Sequence, residues 1–245
     1  MDQSVIDALR HKIREIERHN KFIYLVGPIR LPINLNDETY VFQWYCWLNC
    51  KERAHDLASM IRKLSDHNLA EMQQSSVLVY GDFEQADSVY VRLHSICHTG
   101  DIFGSKRCDC GYQLHQSLQM IADHGAGALF YLANHEGRGI GLFSKAMAYL
   151  LQEKGFDTVD ANLKLGFADD ARHYGDAIAV LRALRDKPVT LITNNPRKLE
   201  ALRSAGMNVE RRISLWGDVS EFNEKYLQTK VRRSGHLANG GCPNE

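Results

Sequence analysis

Three cysteines stand where they could hold a metal. Cys97, Cys108 and Cys110 form a C-x10-C-x-C array, with Gly100 and Gly104 between them to let the loop fold back. Thiolates at that spacing can converge on one soft or borderline cation, and zinc is the usual choice. Three thiolates leave a fourth position open, which a hydrolytic zinc needs for its water. The competing reading is three buried thiols in a reduced core, since free cysteine is among the most buried residue types. His98 is a weak further ligand candidate, being a lone histidine beside a cysteine. Cys46 and Cys50 lie in an aromatic run and read as core packing ahead of a second metal pair.

A second patch concerns anions. Glu136-Gly137-Arg138-Gly139-Ile140-Gly141 falls between a predicted strand and a predicted helix. In that context backbone N–H groups can cradle a phosphate. The glycine spacing fits neither a Walker A loop nor a dinucleotide fingerprint, so a simple tight turn competes with the cradle. Arg138 favours anion binding. Asp169 and Asp170 stand close to Arg172, by themselves a solvated charge cluster or a helix start. Asn194-Asn195-Pro196 predicts a helix cap, with Arg197 and Lys198 in the first turn. Cations there oppose the helix dipole and are easier to explain facing a bound phosphate.

The elements that must position these residues follow from periodicity. Ile6, Leu9, Ile13 and Ile16 predict an amphipathic helix over residues 4–19. Strands are expected over 22–26, stopped at Gly27-Pro28, and over 40–48, with 30–36 irregular between them. An apolar stripe predicts a helix over 53–72. Strands follow at 75–80 and 88–94, the second running straight into the cysteine loop. Helices are expected over 112–124, from the glycine loop to about 154, over 176–185 and over 221–230, with strands at 128–132, 188–193 and 209–215. Residues 157–167 are polar with few periodic apolar positions. This alternation predicts a single-domain α/β (mixed α+β) fold, a mixed sheet flanked by helices. The expected divisions are an N-terminal helical extension over 1–20, a catalytic domain over 21–237 and a flexible tail over 238–245 in which Cys242 is a bystander.

Composition narrows the classes. Lys plus Arg and Asp plus Glu balance at 30 each, so no basic footprint suggests nucleic acid as a partner. No apolar run approaches a membrane span, and the first 20 residues lack a signal-peptide core, so no membrane partner is expected. Six cysteines without an export signal suggest free thiols in a reducing compartment, hence the cytoplasm.

Seven ordered motifs between about Leu31 and Leu237 resemble the GTP cyclohydrolase II family, zinc enzymes that open the guanine imidazole ring at the start of riboflavin synthesis. They are Arg92-Leu93-His94-Ser95, His98-Thr99-Gly100-Asp101 with its flanking cysteines, Arg107-Cys108-Asp109-Cys110-Gly111, Glu136 to Leu142, Leu165 to Ala168, Thr193 to Lys198, and Tyr226-Leu227-x-Thr229-Lys230 with Gly235-His236-Leu237. The resemblance implies zinc on Cys97, Cys108 and Cys110, a proton acceptor at Asp170, and an arginine attacking the α-phosphate at Arg172. It implies an active-site tyrosine at Tyr149. Nucleotide contacts fall on Arg92, Leu93, His94, Ser95, Gln113, Glu136, Gly137, Arg138, Thr158, Thr193 and Lys198. Glu136 is a candidate for reading the guanine N–H groups. Magnesium with the substrate phosphates and a homodimer are implied as well.

The sequence also departs from the family pattern. Ile96 stands where the family usually has Glu, Asn134-His135 where it has Arg-Gln, and Ala171 where it has Glu. Residues 53–74 look like an insertion, and the butanone-phosphate synthase unit fused to some relatives is not in this sequence. Three functions stay open: hydrolysis of GTP to a diaminopyrimidine phosphate, formate and pyrophosphate; the same ring opening on another purine or pyrimidine compound; and nucleotide binding without catalysis.

Overall fold

Long-range pairing rearranges the first third of the chain relative to its local periodicity. In the computed structural model, which describes residues 2–19, 21–66 and 68–237, helix α1 covers only Gln3–Arg10, and strand β1 (Ile13–Arg18) follows it. The helix expected over 4–19 is therefore cut in two. Its second half pairs residue for residue with β2 (Lys21–Leu35), from Ile13 opposite Val26 to Arg18 opposite Lys21. Sheet hydrogen bonds override a helical spacing that Ile13 and Ile16 satisfy equally well.

Gly27-Pro28 does not end β2 either. The strand continues through a bulge between Val26 and Ile29, and residues 30–36, expected to be irregular, pair with β3 (Glu38–Cys50) almost throughout. Gly27 sits at φ 139°, where a Cβ would meet the Tyr45 ring at 2.6 Å. The helix expected over 53–72 shrinks to α2 (Leu57–Arg62) and two single 3-10 turns. An Asp56–Ser59 capping box starts α2 late, and Ile61 is its one buried residue.

Beyond this point the alternation holds. The order is β4 (Ser75–Tyr80), β5 (Tyr90–Ser95), α3 (Cys110–His124), β6 (Gly127–Leu132), α4 (Leu142–Glu153), α5 (Thr158–Lys164), α6 (Gly175–Leu184), β7 (Val189–Ile192), α7 (Pro196–Ser204), β8 (Val209–Ile213) and α8 (Glu224–Arg232). Helix α5 falls in the stretch read as non-periodic; its signal is the Asp157 side chain, which caps it by accepting from Asp160 N. The expected tail 238–245, with Cys242, lies outside the described residues.

All eight strands form one sheet in the order β1-β2-β3-β4-β6-β5-β7-β8. It is antiparallel from β1 to β6 and parallel across β6, β5, β7 and β8. One face packs Val91, Leu93 and Phe130 against Ile178 and Leu181 of α6 and Leu202 of α7. The other packs Leu129 and Phe42 against Leu118 and Ile121 of α3. Each such buried side chain contributes about 1.5–3 kcal/mol.

The chain leaves β5 through α3 for β6 on one side, and β7 later joins β5 on the other. Connections thus diverge at the carboxyl end of β5. In open parallel sheets that divergence opens a crevice, and ligands bind there. No helix among the described residues is long and apolar enough to cross a membrane.

Candidate active site

The cysteine loop rises from that crevice. Ser95 ends β5, Cys97 follows two residues later, a wide π-type turn spans His98–Ile102, and Cys110 opens α3. The Cys97 and Cys108 sulfurs are 3.6 Å apart, and all three sulfurs lie within 4.8 Å of one another. A core of unrelated thiols has no reason to converge so tightly; a cation does. The loop backbone leaves room for the sulfurs only because residue 100 lacks a side chain. A Cβ on Gly100 would lie 2.8 Å from Cys108 Sγ and 3.2 Å from Cys97 Sγ. This donor set fits one soft or borderline metal ion. Cys46 and Cys50 lie apart in β3, with the Cys46 thiol on the Ser75 carbonyl.

Asp101 braces the loop from beneath. Its Oδ2 accepts from Cys97 N at 2.9 Å and from Tyr131 OH at 3.0 Å, and His94 Nε2 lies 3.1 Å away. Hydrogen bonds from Cys108 and Cys110 pull Cys97 well below the usual thiol range against its burial, with Lys145 adding to the effect. The same bonds push Cys110 up.

The glycine loop resolves as a tight turn. The N–H groups of Gly139 and Gly141 both donate to Glu136 O, and Gly137 N donates to Glu136 Oε1. These three N–H groups are thus engaged within the loop itself. Glu136 Oε1 also accepts from Lys145 Nζ at 2.6 Å, and Oε2 accepts from His98 N at 2.7 Å. Three donors of the chain thus occupy the carboxylate, leaving little capacity for a guanine edge. Opposite, Tyr149 OH lies 3.3 Å from Thr99 Oγ1, and the Arg107 guanidinium stacks 4.1 Å from its ring centroid.

Two adjoining chambers share Ser95, Cys110, Arg172, Tyr226, Lys230 and His236 as common wall. The first contains the sulfurs, Glu136, Gly137, Arg138, Tyr149 and Thr158. The second contains Arg92, His94, Gln113, Thr193 and Lys198. Leu93 joins neither: its side chain is buried in the core, and it contributes its carbonyl, which accepts from Lys198 Nζ at 2.6 Å. Asp170 reaches the chambers through Arg172. It accepts from Arg172 Nε at 2.8 Å and from the guanidinium NH2 at 2.7 Å. Burial alone would raise Asp170, but the Arg172 bonds hold it well below the carboxylate range. Arg172 is held charged in return. Arg138 is paired with Asp169 at 2.7 Å, and Arg197 lies 3.1 Å from Asp170.

The second chamber is strongly cationic. Arg92, Lys198 and Lys230 are all buried in its wall. Burial, then neighbouring Arg92 and Arg172, force Lys198 well below the usual lysine range. Arg92 Nε and His94 Nδ1 have no hydrogen-bond partner among the described residues. A bound anion would relieve this crowding.

Several site residues carry no assigned role in the motifs. Lys145 lies one helical turn before Tyr149, so a tyrosine aimed at the site places the lysine there too; that i, i+4 relation was the available signal. Asp109, between two of the cysteines, accepts from Lys230 Nζ at 2.6 Å and ties the loop to α8. His135 bridges Ser95 Oγ at 3.1 Å and the His173 carbonyl at 3.1 Å. Ile96 lines the first chamber.

Comparison with known proteins gives the family. A family model described as GTP cyclohydrolase II matches residues 60–214. Riboflavin biosynthesis protein RibBA of Bacillus cereus is 49% identical over 172 residues, 70% of this chain and 43% of that protein. The proteins of the same name in Bacillus subtilis and Bacillus velezensis are each 48% identical over 171 residues, 69% of this chain and 43% of theirs. The chain thus spans less than half the length of these curated relatives.

Proposed function

The chain belongs to the GTP cyclohydrolase II family, and from that membership we propose that it hydrolyses GTP, opening the imidazole ring and releasing formate and pyrophosphate. The observation that carries this reading is the pairing of three converged sulfurs with a buried cationic chamber across one wall. Cys97, Cys108 and Cys110 would hold zinc. When bound, zinc supplies the Lewis acidity that makes water nucleophilic near neutral pH.

The chain's own residues supply the rest. Burial raises the Tyr149 phenol, so it stays protonated and suited to donating to a ring nitrogen as the ring opens. Arg92, Lys198 and Lys230 would meet phosphate charge, with magnesium accompanying the pyrophosphate. Asp170 is the acceptor that any nucleophilic use of Arg172 requires. Their contact also holds the guanidinium charged, so attack on the α-phosphate needs the proton to pass to Asp170 first. We assign the working protein to the cytoplasm and, by family, to a homodimer.

The test is incubation of zinc-loaded protein with GTP and magnesium, following formate, pyrophosphate and the ultraviolet spectrum. Both products are expected, and Cys108→Ser should release no formate while keeping its far-ultraviolet dichroism. A second reading, the same ring opening on another purine or pyrimidine compound, is favoured by apolar Ile96 in the chamber wall. No formate from GTP, with zinc at one per chain, would overturn the first reading in favour of the second.

A further inference from the structure

Lys145 is the buried cation of the first chamber that no assigned role uses. Its ammonium lies 2.6 Å from Glu136 Oε1 and 3.2 Å from Cys97 Sγ. The other Glu136 oxygen accepts from His98 N, the N–H that follows Cys97 in the chain. Sulfur, ammonium, carboxylate and backbone N–H thus close a ring around one metal-ligand position. Burying an ammonium is costly, and a carboxylate partner alone would offset it. The sulfur contact is additional, and it falls on one of the three converged sulfurs.

We propose that Lys145 is a positioning residue for the metal. It donates a charge-assisted hydrogen bond to the Cys97 thiolate and withdraws electron density from that sulfur, so the bound ion remains a stronger Lewis acid. Glu136 keeps the ammonium in place and pins the loop. The inference rests on the reading of the three cysteines as metal ligands. Its physical basis is general: groups that hydrogen-bond metal ligands set ligand orientation and donor strength. Three thiolates around a dication also carry an excess negative charge, which the ammonium offsets.

Cobalt(II) substitution tests this without relying on turnover, because thiolate ligands give a sulfur-to-cobalt charge-transfer band. Loss of the hydrogen bond raises the sulfur lone pair in energy. Lys145→Met should therefore shift the band to lower energy, and Lys145→Arg, which restores a donor, should move it back toward the parent position. With zinc and GTP, Lys145→Met should lower kcat by about tenfold or more, with KM little changed. Lys145→Ala serves as a second donor-free variant where methionine disturbs packing. A band left in the parent position, with cobalt at one per chain in a folded donor-free variant, overturns the inference. No charge-transfer band in the cobalt-treated parent overturns the metal reading itself.

Discussion

Arg172 and Asp170 act as a single group, and that decides what a substitution there does. The pair shares two side-chain hydrogen bonds and a third from the Arg172 backbone N–H, with Arg172 in the wall between the chambers. Arg172→Ala is expected to lower pyrophosphate release at least ~100-fold, the scale of losing a preorganised charge contact at a reacting phosphate. Arg172→Lys keeps a charge but loses the bidentate fork, so it should recover only part of the rate. Release at the parent rate in Arg172→Ala would remove Arg172 from the reaction. Asp170 and Arg172 stood out in the sequence only through the family resemblance, since alone they read as a solvated charge cluster; the cysteines stood out by themselves, because their spacing constrains where thiols can meet. Lys145 was not legible from composition: a lysine in an amphipathic helix reads as a solvated face. Nor was the crowding of donors on Glu136, since they come from residues 98, 137 and 145 and meet only in the folded chain.

At the scale of elements, the cysteine loop is the piece whose shape matters most. Gly100 backs directly onto the sulfurs. Gly100→Ala should push the loop outward, weaken metal affinity by at least about tenfold in a chelator competition, and leave the melting temperature of the metal-free protein nearly unchanged. Unchanged affinity would mean that the loop has slack the packing does not suggest. With α5 the exception, the regular elements from β4 onward were legible from their apolar patterns, and Asn195 with Pro196 marks the start of α7 as their types predict. Within the first 72 residues the strands over 22–26 and 40–48 form as expected, but the extents of both helices and the break at Gly27-Pro28 were misread for a physical reason. Spacing of three or four between isoleucines suits a helix, but β1 exists only because β2 offers it a partner, and a pairing partner is not a local property. The same holds for β2 across Gly27-Pro28, where the bulge faces Tyr45 and Trp44 on β3.

Over the whole molecule, alternation predicted a mixed sheet with flanking helices, but not the strand order that puts the crevice at β5. Nor could an overall balance of 30 cationic and 30 acidic side chains reveal how charge is distributed inside. The interior holds Arg92, Lys198 and Lys230 beside His94 and His135, and this has a consequence for acid stability. Burial, helped by Arg172 and Lys198, lowers His135 to about 3, and burial lowers His94 as well. In the unfolded chain a histidine titrates near ~6.5. As pH falls through that value the unfolded state binds a proton that the folded state refuses. The stability due to neutral His135 is therefore complete above about pH 6.5 and declines down to about 3, by up to about 1.4 kcal/mol per pH unit. Asp170, lowered by Arg172, loses its contribution only below the ordinary carboxylate value near ~4, outside the interval from about pH 7.5 to about 5.5; Cys97 and Lys198 contribute there alike with or without His135, so the difference between the parent and a His135 variant isolates that histidine. Urea unfolding of chelator-treated protein keeps metal release out of the measurement. The parent should lose stability across that interval, and His135→Asn should lose roughly 1 kcal/mol less. Equal losses in the two proteins would mean that His135 is protonated in the fold, and that the Ser95–His135–His173 bridge carries a charge into the site.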